Sequence, residues 1–144
     1  MPMPSIDQVF VYGTLQRGQI RGSRWPASPL TVRRAWTLGA LFHRTDYPAL
    51  LSGTDRVAGE LWQFSPADMP EVLRTLDRIE GAGQPGEQDL YRRVTVAVHS
   101  LENDPLGDAF TYHYARSPTE DGFIRLSSAG QGLVIRWPPN GELE

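Results

Sequence analysis

Glu80 is the residue whose type and position most invite a chemical reading. It lies near the end of EVLRTLDRIEGAG (71–83). At 3.6 residues per turn it falls inside the apolar stripe of Met69, Val72, Leu73, Leu76 and Ile79, while Glu71, Arg74 and Arg78 point the other way. A carboxylate turned toward a core in the last turn of a helix sits where both burial and the helix dipole disfavour its charge. Both effects raise a carboxyl pKa, and a raised carboxyl suits a general base near neutral pH. The alternative is a helix that frays after Ile79 and leaves Glu80 leaning into water, and the pattern leaves both readings open.

A second candidate is VFVYGTLQRG (9–18), an apolar run that ends in Tyr-Gly-Thr-Leu. Backbone N–H groups at such a strand end, with Gly13 permitting a sharp turn, can hold an anion. Other chemistry is missing. The chain has no Cys, and all fourteen basic residues are Arg, which removes thiolate nucleophiles, cysteine-ligated metals, Schiff-base lysines and a phosphate-loop lysine. His43, His99 and His113 are far apart. An enzyme built from this chain must use carboxylates, hydroxyls, a lone His and backbone amides.

The elements that would position these groups follow from the pattern. QVFVYG (8–13) reads as a buried first strand and 14–29 as a loop. Residues 31–44 read as one or two strands broken near Gly39, 46–55 as a turn-rich connection, and 56–64 as a strand. In the helix, Ser65 is the expected N-cap, Pro66 the first helical residue and Gly81 the stop. LYRRVTVAVHS alternates, with Val94, Val96 and Val98 on one face and Tyr91, Arg93, Thr95 and Ala97 on the other; AFTYHYA places Phe110, Tyr112 and Tyr114 together. GLVIRW (132–137) reads as a last strand. Five to seven strands around one strong helix, without regular βαβ alternation, indicate an α+β domain, and 144 residues fit a single domain, 1–144. The net charge of −3 gives no reason to expect nucleic acid or an acidic membrane surface, and no apolar run is long enough to span a bilayer. MPMPSIDQ lacks the basic and apolar regions of a signal peptide, so the expected location is cytoplasmic.

VFVYGTLQRG (9–18), YPAL (47–50), VAGELWQF (57–64), LDRIEG (76–81), YRRVTVAV (91–98) and AFTYHY (109–114) together resemble, in order, the γ-glutamyl cyclotransferase-like family, which includes γ-glutamylamine cyclotransferases and AIG2-like members. The resemblance implies a small mixed β-barrel with one main helix packed outside. It implies that Tyr12, Gly13, Thr14 and Leu15 form the substrate loop and that Glu80 is the catalytic acid/base. The YxR match draws Tyr91 and Arg93 toward the pocket, Tyr47 beside Pro48 reads as pocket wall, and Tyr112 and Tyr114 stand between pocket and core. Glu60 beside Trp62 reads as a structural partner, not half of a glycosidase pair. His113 reads as structural.

The implied activity converts a small γ-glutamyl amide or γ-glutamyl amino acid into 5-oxoproline and a free amine. The nucleophile belongs to the substrate, so neither metal nor cofactor is required. QIRGSRW (19–25) and the segment between Glu80 and Tyr91 depart from the family pattern, which puts the leaving group in question; Arg17, Arg21 and Arg24 could favour an acidic one. Two other readings compete: a non-catalytic small-molecule binder on the same fold, and an amidohydrolase releasing free glutamate.

Overall fold

The computed structural model describes residues 6–13, 16, 25–44, 48–82, 90–126 and 135. Strand β1 (Gln8–Val11) is followed by β2 (Thr31–His43) and β3 (Pro48–Gln63), then helix α1 (Met69–Glu80), and finally β4 (Tyr91–Ser100), β5 (Pro105–Tyr114) and the short β6 (Ile124–Arg125). The order β3-β1-β5-β4-β2 closes on itself through the β2–β3 pairing, and β6 joins the edge of β2. Within the ring β1–β5 is parallel and the other pairs are antiparallel. The described residues therefore form a closed five-stranded mixed barrel with one helix. No helix among the described residues is long and apolar enough to cross a membrane.

Two apolar layers share the barrel wall. Phe10, Tyr12, Leu41, Leu50, Val57, Leu61 and Val98 fill the interior. Val9, Val11, Trp62, Phe64, Tyr91, Tyr112 and Tyr114 face outward and meet Met69, Val72 and Leu76 of the helix. Strand β1 is buried on both faces, which is why its sequence is a continuous apolar run instead of an alternation. The expected faces of β4 and β5 are found: Val96 and Val98 border the interior, while Tyr91, Tyr112 and Tyr114 lie outside it, with Phe110 packed beside them.

Three expectations need correction. Residues 48–55 are not a connection but the first half of β3, paired with β2 from His43↔Pro48. Proline is tolerated as a first strand residue because its missing N–H leaves no ladder bond unmade. The register jumps from Gly39↔Asp55 to Ala40↔Leu51, so the turn-forming Ser-Gly-Thr at 52–54 is a bulge within one long hairpin, and β2 runs unbroken past Gly39.

The helix begins at Met69, not Pro66, with Asp68 at the N-cap and no side-chain cap bond. Pro70 has no N–H to offer the Pro66 carbonyl, so the α-type ladder starts with Val72 N–H to Asp68 O at 3.0 Å. Ser65 through Asp68 form a preceding turn (Asp68 N–H to Ser65 O, 2.9 Å). Strand β6 carried no signal of its own in the sequence. Of the proposed strand 132–137, Ile135 alone is described, and it bridges Val57 in parallel.

Candidate active site

Tyr12, just after β1, lies within reach of the charge of Glu80 in the last turn of α1. Tyr12 follows β1, is buried inside the barrel, and donates its hydroxyl proton to the Tyr112 carbonyl at 2.5 Å. Gly13 lies against the Pro48 ring: a Cβ there would stand 2.5 Å from Pro48 Cγ. Gly13 is not among the positive-φ glycines; it supplies clearance for Pro48 at the start of the turn expected here. The Gln16 N–H returns to Gly13 O at 3.0 Å and closes a turn. The Tyr91 hydroxyl donates to Pro48 O at 2.6 Å, so the YGTL and YPAL blocks and the start of β4 are fastened together.

Helix α1 brings two acids to this place. Gly81 ends the helix in the left-handed region (φ 68°), with Ala82 N–H bonded to Asp77 O at 2.8 Å. Glu80, in the last turn, is partly buried. Its charge acts on two phenols. Tyr12 is held well above its ordinary pKa, first by burial and then by Glu80, with a Leu50 backbone hydrogen bond working the other way. Tyr112 is also pushed far up, by burial first, then by its hydrogen bond to Asp77 and the Asp77 charge, with Arg93 opposing and Glu80 adding to the rise. Glu80 therefore lies close enough to both phenols for its charge to act on them.

Asp77 is the residue that sequence reasoning missed. It accepts the Tyr112 hydroxyl at 2.6 Å through Oδ1 and the Arg93 guanidinium at 3.0 Å through Oδ2. The available signal was its position: one residue after buried Leu76, at the edge of the apolar stripe, and three before Glu80. Arg93 faces Asp77 and also lies over the Phe110 ring, 5.4 Å from its centroid.

The proton count here is restrictive. A phenol has one O–H, and Tyr12, Tyr91 and Tyr112 each donate theirs to the protein. Toward a ligand the Tyr112 oxygen offers lone pairs. Thr14, Leu15 and Tyr47 lie outside the described residues. Glu60 accepts the Trp62 indole N–H at 3.1 Å, in line with a structural role. His113 is partly buried, and burial followed by the Arg92 charge lowers its pKa.

The model of the family described as gamma-glutamyl cyclotransferase, AIG2-like, matches residues 9–130. The chain belongs to this family. Within the AIG2-like cyclotransferase family, the chain is 31% identical over 110 residues to the gamma-L-glutamyl-butirosin B gamma-glutamyl cyclotransferase of Niallia circulans, covering 75% of this chain and 68% of that one. A solved AIG2-like protein from Mus musculus is 25% identical with a TM-score of 0.57, over 96% of this chain and 99% of that one. YkqA from Bacillus subtilis shares the fold at 20% identity and a TM-score of 0.59, over 86% of this chain; the chain spans 39% of YkqA's length.

Proposed function

We propose that the protein is an intramolecular cyclotransferase that converts a small γ-glutamyl amide or γ-glutamyl amino acid into 5-oxoproline and the free amine, with Glu80 as general acid/base. The observation that carries this reading is Glu80 at the helix end, its charge acting on buried Tyr12 and Tyr112 next to the Gly13 turn. Family membership and the activity in the Niallia circulans relative's name support the same class of reaction.

Glu80 takes a proton from the substrate's α-ammonium. The freed amine attacks the γ-carbonyl carbon, forming the ring C–N bond and a tetrahedral oxyanion. Collapse of that intermediate breaks the bond to the leaving nitrogen, which receives the proton from Glu80; the second proton of the ring nitrogen then passes through the same carboxylate to the departing amine, which leaves as an ammonium. Atoms balance without water, metal or cofactor. Backbone amides of the Tyr12–Gly13 turn would hold the glutamyl moiety through its carboxylate. Thr14, Leu15 and Tyr47 enter this reading through the resemblance alone. Holding the substrate bent for attack supplies much of the acceleration.

The test is a product assay of the wild-type protein against γ-glutamyl amines, γ-glutamyl amino acids and glutathione. 5-Oxoproline from at least one of them is expected, and the active members define the leaving group. Free glutamate as the product would replace this reading with an amidohydrolase. Binding without turnover across the panel would replace it with a binding protein.

A further inference from the structure

We infer that Asp77, held by Arg93, is a positioning residue that keeps the Tyr112 hydroxyl oxygen available as an acceptor for the substrate's α-ammonium, beside Glu80. The inference rests on the cyclotransferase reading above and adds to it the orientation of the substrate.

The argument begins with the single phenolic proton of Tyr112. A carboxylate can only accept, so the 2.6 Å contact to Asp77 Oδ1 consumes that proton. The other carboxylate oxygen is engaged by Arg93 at 3.0 Å, which fixes the plane of the group. Asp77 is thus held from two sides by β4 and β5, and it stands one helical turn before Glu80 on the same helix. What remains on Tyr112 is lone-pair density. Two acids act on that phenol, Asp77 by contact and Glu80 by its charge.

A γ-glutamyl substrate brings a cation at its α-nitrogen, an anion at its α-carboxylate and a neutral amide. An acceptor bonded to one carboxylate and within reach of the charge of a second favours the cation over the anion, a preference that Arg93 offsets only in part. The α-ammonium therefore takes the end near Tyr112 and Glu80, and the α-carboxylate the end near the Gly13 turn. This places the proton to be removed beside the base. Among the described phenols, Tyr12, Tyr91 and Tyr112 have no proton left for the oxyanion of the intermediate, because each is already engaged.

The competing explanation is a strut: Asp77, Tyr112 and Arg93 simply fasten α1 to the barrel. A strut affects folding without distinguishing ligands by their amine. The experiment compares wild type, Asp77→Asn and Tyr112→Phe, using a γ-L-glutamyl alkylamide as substrate. The glutaric acid monoamide of the same alkylamine, which lacks the α-amine, serves as a competitive inhibitor. Both variants are expected to lose about 10- to 100-fold in kcat/KM, the size of one hydrogen bond to a charged group, with the inhibition constant of the monoamide unchanged.

Equal weakening of substrate and monoamide, or full activity in folded variants, overturns the inference. Thermal melting checks folding. If Asp77→Asn does not fold, Tyr112→Phe, which keeps the ring, decides the matter. An active wild type with indifferent variants removes the Asp77 role alone. A wild type that makes no 5-oxoproline from any substrate removes the cyclotransferase reading and this inference with it.

Discussion

Two tyrosines, two residues apart on β5, make the same kind of contact and serve different ends. Tyr112 donates to Asp77 at 2.6 Å, and Asp77 pairs with Arg93 at 3.0 Å. Tyr114 donates to Asp121 at 2.6 Å, and Asp121 pairs with Arg116 at 3.3 Å. The second triplet ties a turn-rich segment to the barrel: Arg44 donates to the Asp121 carbonyl at 3.1 Å and lies over Phe123, whose ring packs on Tyr114. The first ties down the helix that carries Glu80, and the charge of Glu80 acts on its phenol. A Tyr–Asp–Arg triplet alone does not mark a site. The acid next to it makes the difference.

The largest effect is expected where the first triplet takes its support. Leu76, the helix residue before Asp77, is fully buried, and Leu76→Ala should cost about 2–5 kcal/mol through the cavity it leaves. Urea unfolding measures this; a loss below about 1 kcal/mol would show that α1 is not seated by this side chain. Next comes the direct contrast of the tyrosines. Tyr112→Phe should lower kcat/KM about 10- to 100-fold, whereas Tyr114→Phe should cost about 1 kcal/mol of stability and leave turnover near wild type. Equal losses of activity would erase the distinction between the triplets.

Alkaline pH separates the buried phenols from ordinary ones. Tyr12 and Tyr112 keep their protons in the folded state beyond the ordinary value of 10.0, while the unfolded chain releases them there. Their contribution to stability is therefore complete below pH 10 and declines as pH rises above it. Tyrosinate absorbance should report Tyr12 and Tyr112 only as the protein unfolds; a smooth native-state titration of all five tyrosines at the ordinary pH contradicts this.

The smallest effect concerns His113, whose lowered pKa means that the unfolded chain takes up the proton first. Its contribution is present above pH 6.5, the ordinary value, and declines as pH falls. His113→Gln should flatten the acid side of the stability profile, and an unchanged slope would assign that side to other groups.

The fold was legible wherever the signal was local. Val96 and Val98, and Phe110, Tyr112 and Tyr114, alternate with the strand period and take the faces expected of them. Barrel closure was not legible in periodicity, because it depends on β3 pairing with both β1 and β2, a non-local event; the family resemblance supplied it. The Ser-Gly-Thr signal at 52–54 was real but marked a bulge, since turn residues and bulge residues share the same backbone freedom.

At the site, Glu80 was visible because one helix can be drawn from its own residues. Asp77 was not, because its meaning comes from Tyr112, 35 residues away, and from Arg93 on another strand. Gly13 was noticed for its conformational freedom, but Pro48, brought beside it by the fold, explains it.

The central claim is that Glu80 moves the proton. The most direct measurement is the rate of 5-oxoproline formation by Glu80→Gln beside wild type, with binding of the glutaric monoamide followed in both. The account predicts a loss on the order of a thousandfold in kcat with the monoamide bound as in wild type. A folded Glu80→Gln protein that still forms 5-oxoproline at the wild-type rate would contradict it.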